Sequence, residues 1–128
     1  MEFNQLELRI VKGTEALKLI PFIDGRSLEF TGHDGLWLNG WQYEPADRYW
    51  YGDFEFAHQE NGTWIMGCDC GEAGCAPLEA SVTVSPDQVI WSDFHSGNSP
   101  RPVPELTSYT FARAQYDEQI RAISHFFH

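Results

Sequence analysis

A mainly antiparallel α+β fold is predicted for this chain, a sheet or sandwich of about six or seven strands with one C-terminal amphipathic helix packed on it. Three observations predict it. Short apolar runs alternate with polar residues at period two through residues 5–94, turn signals separate those runs, and a helical stripe appears only at the end. The 128 residues read as a single domain over 1–128: a strand-rich part at 5–94, a proline-containing loop at 96–108 and a helix at 112–126. A chain of this length buries roughly two-thirds of its unfolded surface. A hydrophobic content of 42% and an aromatic content of 15% supply the core.

The first strand shows Leu6, Leu8 and Ile10 alternating with Glu7, Arg9 and Lys12, which gives one dry and one wet face. A second run, Leu17 to Ile23, carries Pro21 and so belongs at an edge or a bulge. Asp24-Gly25 reads as a type I′ hairpin turn, where both central residues take positive φ, with Ser27 to Phe30 as the return strand. Eight aromatics crowd residues 37 to 56, interrupted by Gly40, Pro45 and Gly52, so no helix is expected there. Most of these rings are expected in the core, and a glycan platform is the functional alternative. A second hairpin turns at Asn61-Gly62, between Phe54–Gln59 and Thr63–Cys70. Ala80, Val82 and Val84 then alternate with Ser81 and Thr83, Ser85-Pro86-Asp87-Gln88 turns, and Val89 to Phe94 runs back. At the end, Ala112, Tyr116, Ile120, Ile123 and Phe127 form one helical stripe, with Arg113, Asp117, Glu118 and Arg121 on its wet side.

The formal net charge is −11, and it is concentrated. Residues 49 to 100 hold no Lys or Arg but eight acids, Asp53, Glu55, Glu60, Asp69, Glu72, Glu79, Asp87 and Asp93. Such a surface repels nucleic acid and anionic membrane and attracts basic proteins. No apolar run approaches the roughly 20 residues that span a bilayer. The start of the chain lacks a basic, then apolar leader, and three cysteines cannot all pair within it. Both features point to a reducing cytoplasm.

The chemical landmark is Cys68-Asp69-Cys70-Gly71-Glu72-Ala73-Gly74-Cys75. Cys68 and Cys70 would share a strand face, and the glycines let Cys75 fold back toward them, so three thiolates could converge on zinc. The fourth ligand must come from elsewhere, His95 first and His58 second. Buried apolar thiols, or a disulfide or redox pair, are the competing readings. Catalytic constellations are sparse. There is no phosphate-binding loop, nucleophile elbow or H-E-x-x-H helix. Asp34 beside His33, Asp93 near His95, and a Cys75–His95 pair are what offer acid–base or thiol chemistry. His125 and His128 suit the C-terminal end of the helix dipole.

The run from Ile65 to Leu78 with its C-x-C-G-x-x-G-C spacing, then Val89-Ile90-Trp91-Ser92-Asp93-Phe94, and then Phe111-Ala112-Arg113-Ala114-Gln115-Tyr116, resembles a family of small uncharacterised bacterial proteins. There, V-x-W-x-D-F and F-x-x-x-Q-Y follow the cysteine run. That resemblance implies bacterial origin and a shared fold, and no activity. In size, acidity and aromatic density the chain also resembles immunity proteins of contact-dependent inhibition systems. This second resemblance implies a non-catalytic acidic binding protein that neutralises a basic toxin nuclease; their expected loop or strand-face positions make Glu55, Glu60 and Glu72 the expected partner-binding acids. The alternative is a zinc- or thiol-dependent protein using Cys68, Cys70, Cys75 and His95.

Overall fold

The computed structural model describes residues 2–13, 17–31, 33–38, 45–53, 62–67, 77–96 and 106–126. It is α+β, with two antiparallel sheets and a C-terminal helix. The first sheet holds β1 (Leu6–Lys12), β2 (Leu17–Ile23), β3 (Arg26–Ser27) and β4 (Leu36–Trp37). β1 pairs with β2 along its whole length, so β3 and β4 share the other edge of β2, opposite Phe22–Ile23 and Lys18–Leu19 respectively. The second sheet runs β5 (Thr63–Met66), β6 (Leu78–Val84), β7 (Gln88–Ser96) and β8 (Tyr109–Ala112), in that order.

Two isolated bridges stitch the sheets together. Asp34 and Gly67 exchange backbone hydrogen bonds of 3.0 and 2.7 Å, joining the approach to β4 to the end of β5. Asn4, just ahead of β1, pairs with β8, giving its N–H to the Thr110 carbonyl at 2.7 Å and accepting the Thr110 N–H on Oδ1 at 2.9 Å. The hydrogen-bonded order therefore closes on itself through β1, β2, β4, β5, β6, β7 and β8.

Beyond Asn4, β1 diverges from β8, and helix α2 (Arg113–Ile123) fills the gap. Gln115 Oε1 accepts the Leu6 N–H at 3.0 Å while its Nε2 donates to the Leu6 carbonyl, and Gln119 Oε1 accepts the Leu8 N–H at 2.9 Å. One helical turn plus a fraction rises about 6 Å over four residues, close to two strand residues at about 3.3 Å each. Two glutamines four apart thus match two strand residues two apart, and their amides stand in for the peptides of a neighbouring strand. Tyr116, Ile120 and Ile123 bury the stripe that the periodicity predicts.

The largest fully buried side chains include Trp50, Trp91, Tyr49, Tyr116 and Phe111. Trp91 is the hub, with ring centroids 5.0 Å from Phe111, 6.0 Å from Trp50 and 6.1 Å from Tyr116. Its Nε1–H donates to the Tyr116 hydroxyl at 3.0 Å, and that hydroxyl donates to the Trp50 carbonyl. The expected core role of the aromatic segment therefore holds for Tyr49 and Trp50. Trp41, Tyr43, Phe54 and Phe56 lie outside the described residues.

Several local expectations change. The Asp24-Gly25 turn has the positive φ values predicted, 53° and 83°, yet the return strand stops at Ser27. Leu28 then turns inward as Leu28–Thr31 winds into a 3-10 helix. A four-residue helix, α1 (Ala46–Tyr49), interrupts the aromatic stretch directly after Pro45, where proline's fixed φ starts a helix readily. Tyr109–Ala112, which spans the gap after the expected loop at 96–108 and the first residue of the expected helix, is strand β8, which brings the described strands to eight. Among the described residues no helix is long and apolar enough to cross a membrane.

Candidate functional site

Of the residues singled out from the sequence, Cys68, Cys70, Cys75, His58, Glu55, Glu60 and Glu72 lie outside the described residues. His95 lies within them, on β7 directly opposite Glu79 of β6. Residues 68–76 connect Gly67, after β5, to Pro77, before β6. Met66 pairs with Leu78 and Ser96 also pairs with Leu78, so both stems of the cysteine-bearing segment lie at the sheet end that carries His95.

The imidazole of His95 is fixed on both sides. Nε2 lies 2.8 Å from Glu79 Oε2, and Nδ1 lies 2.8 Å from the backbone carbonyl of Asp93. Glu79 is 5% exposed, and its Oε1 accepts the Trp64 indole N–H at 3.2 Å. A register shift between Glu79 and Ser81 marks a bulge. There Asp93 and Phe94 of β7 lie opposite the single residue Ala80, and Asp93 takes φ 54°, a left-handed conformation that Asp tolerates better than most residues. The bulge aims Asp93's carbonyl at the ring. The orienting carboxylate is thus Glu79 rather than Asp93, whose side chain is exposed. Asp34 and His33 do not form a dyad either. His33 Nδ1 sits 3.0 Å from the Thr31 hydroxyl, and Asp34 accepts from Lys18 at 2.8 Å, Trp37 at 3.3 Å and the Gly35 N–H at 2.8 Å. Burial pushes the Asp34 carboxyl up, and those donors together outweigh it and hold it below the usual carboxylate range.

A second constellation, unsuspected from the sequence, lies where α1 and α2 face each other. There an open cleft of about 680 Å³ is lined by Asp47 and Asp53 from α1 and its exit, Val84 from the end of β6, and Arg113, Asp117 and Arg121 from α2. Asp117 Oδ1 accepts both the Tyr51 hydroxyl and Arg113 Nε, the latter at 2.9 Å. Arg113 also donates through Nη1 to the Ser85 carbonyl at 3.0 Å and lies over the Tyr51 ring, 5.2 Å from its centroid. The i, i+4 spacing of Arg113 and Asp117 on the helix's wet side was the available signal. What it lacked was Tyr51, 66 residues away in sequence.

Burial pushes the phenols of Tyr51 and Tyr116 well above the ordinary tyrosine range, and the neighbouring Asp117 adds to it for Tyr51. A raised folded pKa favours the folded state's proton. Stability is therefore undiminished below about pH 10, the unfolded value, and is lost as pH rises beyond it. An absorbance titration at 295 nm should show these two tyrosines ionising only together with loss of near-ultraviolet circular dichroism. Reversible ionisation of all five tyrosines near pH 10 in a folded chain would contradict this packing.

The charge pattern is asymmetric. Among the described residues Arg9, Lys18, Arg48 and Arg113 each hold a carboxylate of this same chain, Glu7, Asp34, Asp53 and Asp117, at 2.9, 2.8, 3.4 and 2.9 Å. Glu2, Glu29, Asp47, Asp87, Asp93 and Glu118 are exposed and hold no cation among the described residues. The chain matches no family model, no curated protein and no solved structure.

Proposed function

We propose that this is a non-catalytic acidic binding protein of the bacterial cytoplasm, one that neutralises a basic protein partner in the manner of an immunity protein. A toxin nuclease domain is the partner class whose chemistry fits. A nuclease holds phosphate with a basic surface, and that surface accepts carboxylates equally well. The observation that carries the reading is the disposition of charge. Four of the chain's eight cations, Arg9, Lys18, Arg48 and Arg113, are paired with its own carboxylates, while Glu29, Asp47, Asp87, Asp93 and Glu118 face solvent. Among the described acids of the base-free stretch, Glu79 is turned inward to His95 and Trp64. Glu55, Glu60 and Glu72 stay candidate contacts on the strength of their place in that stretch.

The test is reconstitution with any nuclease domain that the gene neighbourhood of this chain proves to encode. A one-to-one complex should form, weaken steeply with added salt, and abolish DNA or RNA cleavage. Cleavage that continues at saturating amounts of this protein, with no complex at low salt, would sink the proposal.

A second reading is favoured by the position of His95. Both stems of the segment carrying Cys68, Cys70 and Cys75 lie at its end of the sheet. Zinc at Nε2 would replace the contact to Glu79 and keep Nδ1–H on the Asp93 carbonyl, which is how ligating histidines are held. Elemental analysis of protein purified without chelator decides it: less than about a tenth of an equivalent of zinc removes the reading.

A further inference from the structure

We propose that Asp24 and Asp34 are acid-sensitive latches on the two seams that close the ring of strands, and that protonating them opens the seams while the aromatic core stays folded. No partner takes part, so the latches stand apart from the proposed function.

Each seam is a single bridge, and a segment held by few backbone hydrogen bonds opens at the low end of the stability scale. At the first seam the Asn4 side chain is committed on both sides. Its Oδ1 accepts the Thr110 N–H at 2.9 Å, and its Nδ2 donates to Asp24 Oδ2 at 2.8 Å. Asp24 Oδ1 accepts the Gln5 N–H at 2.8 Å, and the Asp24 N–H returns to the Gln5 carbonyl at 2.9 Å. The carboxylate thereby sets which way the Asn4 amide points. Turned over, that amide would put N–H against the Thr110 N–H and oxygen against oxygen at Asp24.

At the second seam Asp34 is itself the bridge residue. Its Oδ2 accepts from Lys18 and Trp37, and its Oδ1 from the Gly35 N–H. Gly35 lies so close to β2 that an added Cβ would come within 2.7 Å of Ile20 Cγ1 and 2.9 Å of the Leu19 carbonyl oxygen. The carboxylate thus holds the approach to β4 flat on that strand, in register for Gly67.

Both carboxylates face donors: Asn4 and Gln5 at one, Lys18, Trp37 and Gly35 at the other. A proton on either would meet an N–H, so acid removes a bond and adds a repulsion. Around Asp24 stand Arg26 of β3 and the Tyr109 phenol of β8. Around Asp34 stand Lys18 of β2 and, on its own segment, His33, whose Nδ1 is turned to Thr31. The Gln5 N–H, then Asn4, hold the Asp24 carboxyl below the usual range, and the donors at Asp34 do the same against its burial. A lowered folded value gives stability that is complete above about pH 4, the unfolded value, and is lost as pH falls through the folded one. The contacts of the Trp91 hub, with Trp50, Phe111 and Tyr116, involve no carboxylate, so acid leaves them in place.

Amide hydrogen exchange read by nuclear magnetic resonance tests this. Between pH 6 and pH 3, corrected for intrinsic exchange, Asn4, Thr110, Asp34 and Gly67 should lose at least about tenfold in protection, while the paired amides of β7 hold within about twofold. At neutral pH, Asp24→Asn should speed exchange at Asn4 and Thr110 about tenfold, since its new Nδ2 meets Asn4 Nδ2, and leave Gly67 unchanged. Asp34→Asn should speed Gly67 and leave Asn4 and Thr110 unchanged. Protection lost at the seams only together with β7, or unmoved by either substitution, overturns the latches. Should Asp34→Asn fail to fold, the Asp24→Asn amides and the wild-type pH series still decide.

Discussion

Trp91→Ala is expected to cost about 3–5 kcal/mol, the range for emptying a large aromatic from a closed core. Domains of this size are stable by roughly 5–15 kcal/mol, so the variant should melt far below the wild type or fail to fold. The argument rests on what surrounds the ring. Trp91 is fully buried and touches Trp50, Phe111 and Tyr116, which come from α1's exit, β8 and α2. It therefore joins the second sheet to both helices. Removing it also leaves the Tyr116 hydroxyl with its donation to Trp50 but without the indole it accepts. Trp91→Phe keeps most of the contacts and loses the indole N–H, and should cost less than half as much. Thermal or urea unfolding reads both. Equal costs for the two substitutions would show that the hydrogen bond, not the packing, dominates.

The same hub accounts for the apolar residues of two runs in this sequence. In V-x-W-x-D-F, Val89, Trp91 and Phe94 are the buried residues, and Asp93 is the left-handed position of the bulge. In F-x-x-x-Q-Y, Phe111 and Tyr116 are core while Gln115 completes the edge of β1. Alternation revealed the strands because one face of β1, and of β6 beyond Ala80, is wet. The Asn61-Gly62 turn signal points to a strand from Thr63, and β5 is there, but alternation alone does not mark it, since Thr63, Trp64, Ile65 and Met66 are all buried. Nor could it reveal β8, whose four residues follow a proline-rich run and lead straight into a helix. The seams between sheets were invisible for a different reason. Asn4 with Phe111, and Asp34 with Gly67, are single bridges between distant residues, and no local pattern encodes them.

The candidate site was legible in its charges and not in their arrangement. A base-free acidic stretch is a property of composition, but whether an acid faces out depends on the sheet register. Glu79 looked like one more surface carboxylate, and the β6–β7 register buries it opposite His95. Arg113, Asp117 and Arg121 looked like a solvated helix face. The fold lays Tyr51 and α1 against that face, and the same residues then line a cleft.

Glu79 yields the second large expected effect, and it separates architecture from interface. Its carboxylate is 5% exposed and serves two groups, the Trp64 indole N–H at 3.2 Å and His95 Nε2 at 2.8 Å. Glu79→Ala removes the acceptor of the buried Trp64 indole N–H and the carboxylate held against the half-buried His95 ring, so a loss of about 3 kcal/mol or more is expected. Glu79→Gln should cost only about 1 kcal/mol. The amide oxygen still accepts from Trp64, and the amide N–H donates to an imidazole whose proton rests on Nδ1, against the Asp93 carbonyl. Because the pair is in contact, Glu79→Ala and His95→Ala should not add: a double-mutant cycle should return about 1–3 kcal/mol of coupling. Additive losses would mean that the two side chains do not depend on each other. The charge change in Glu79→Gln is the same as in Asp47→Asn, one carboxylate removed from the acidic protein. If long-range charge alone drew the partner, both would weaken binding alike. If an outward-facing site does, Glu79→Gln should leave partner affinity within about twofold, since a group buried among its own hydrogen bonds has nothing left to offer a partner.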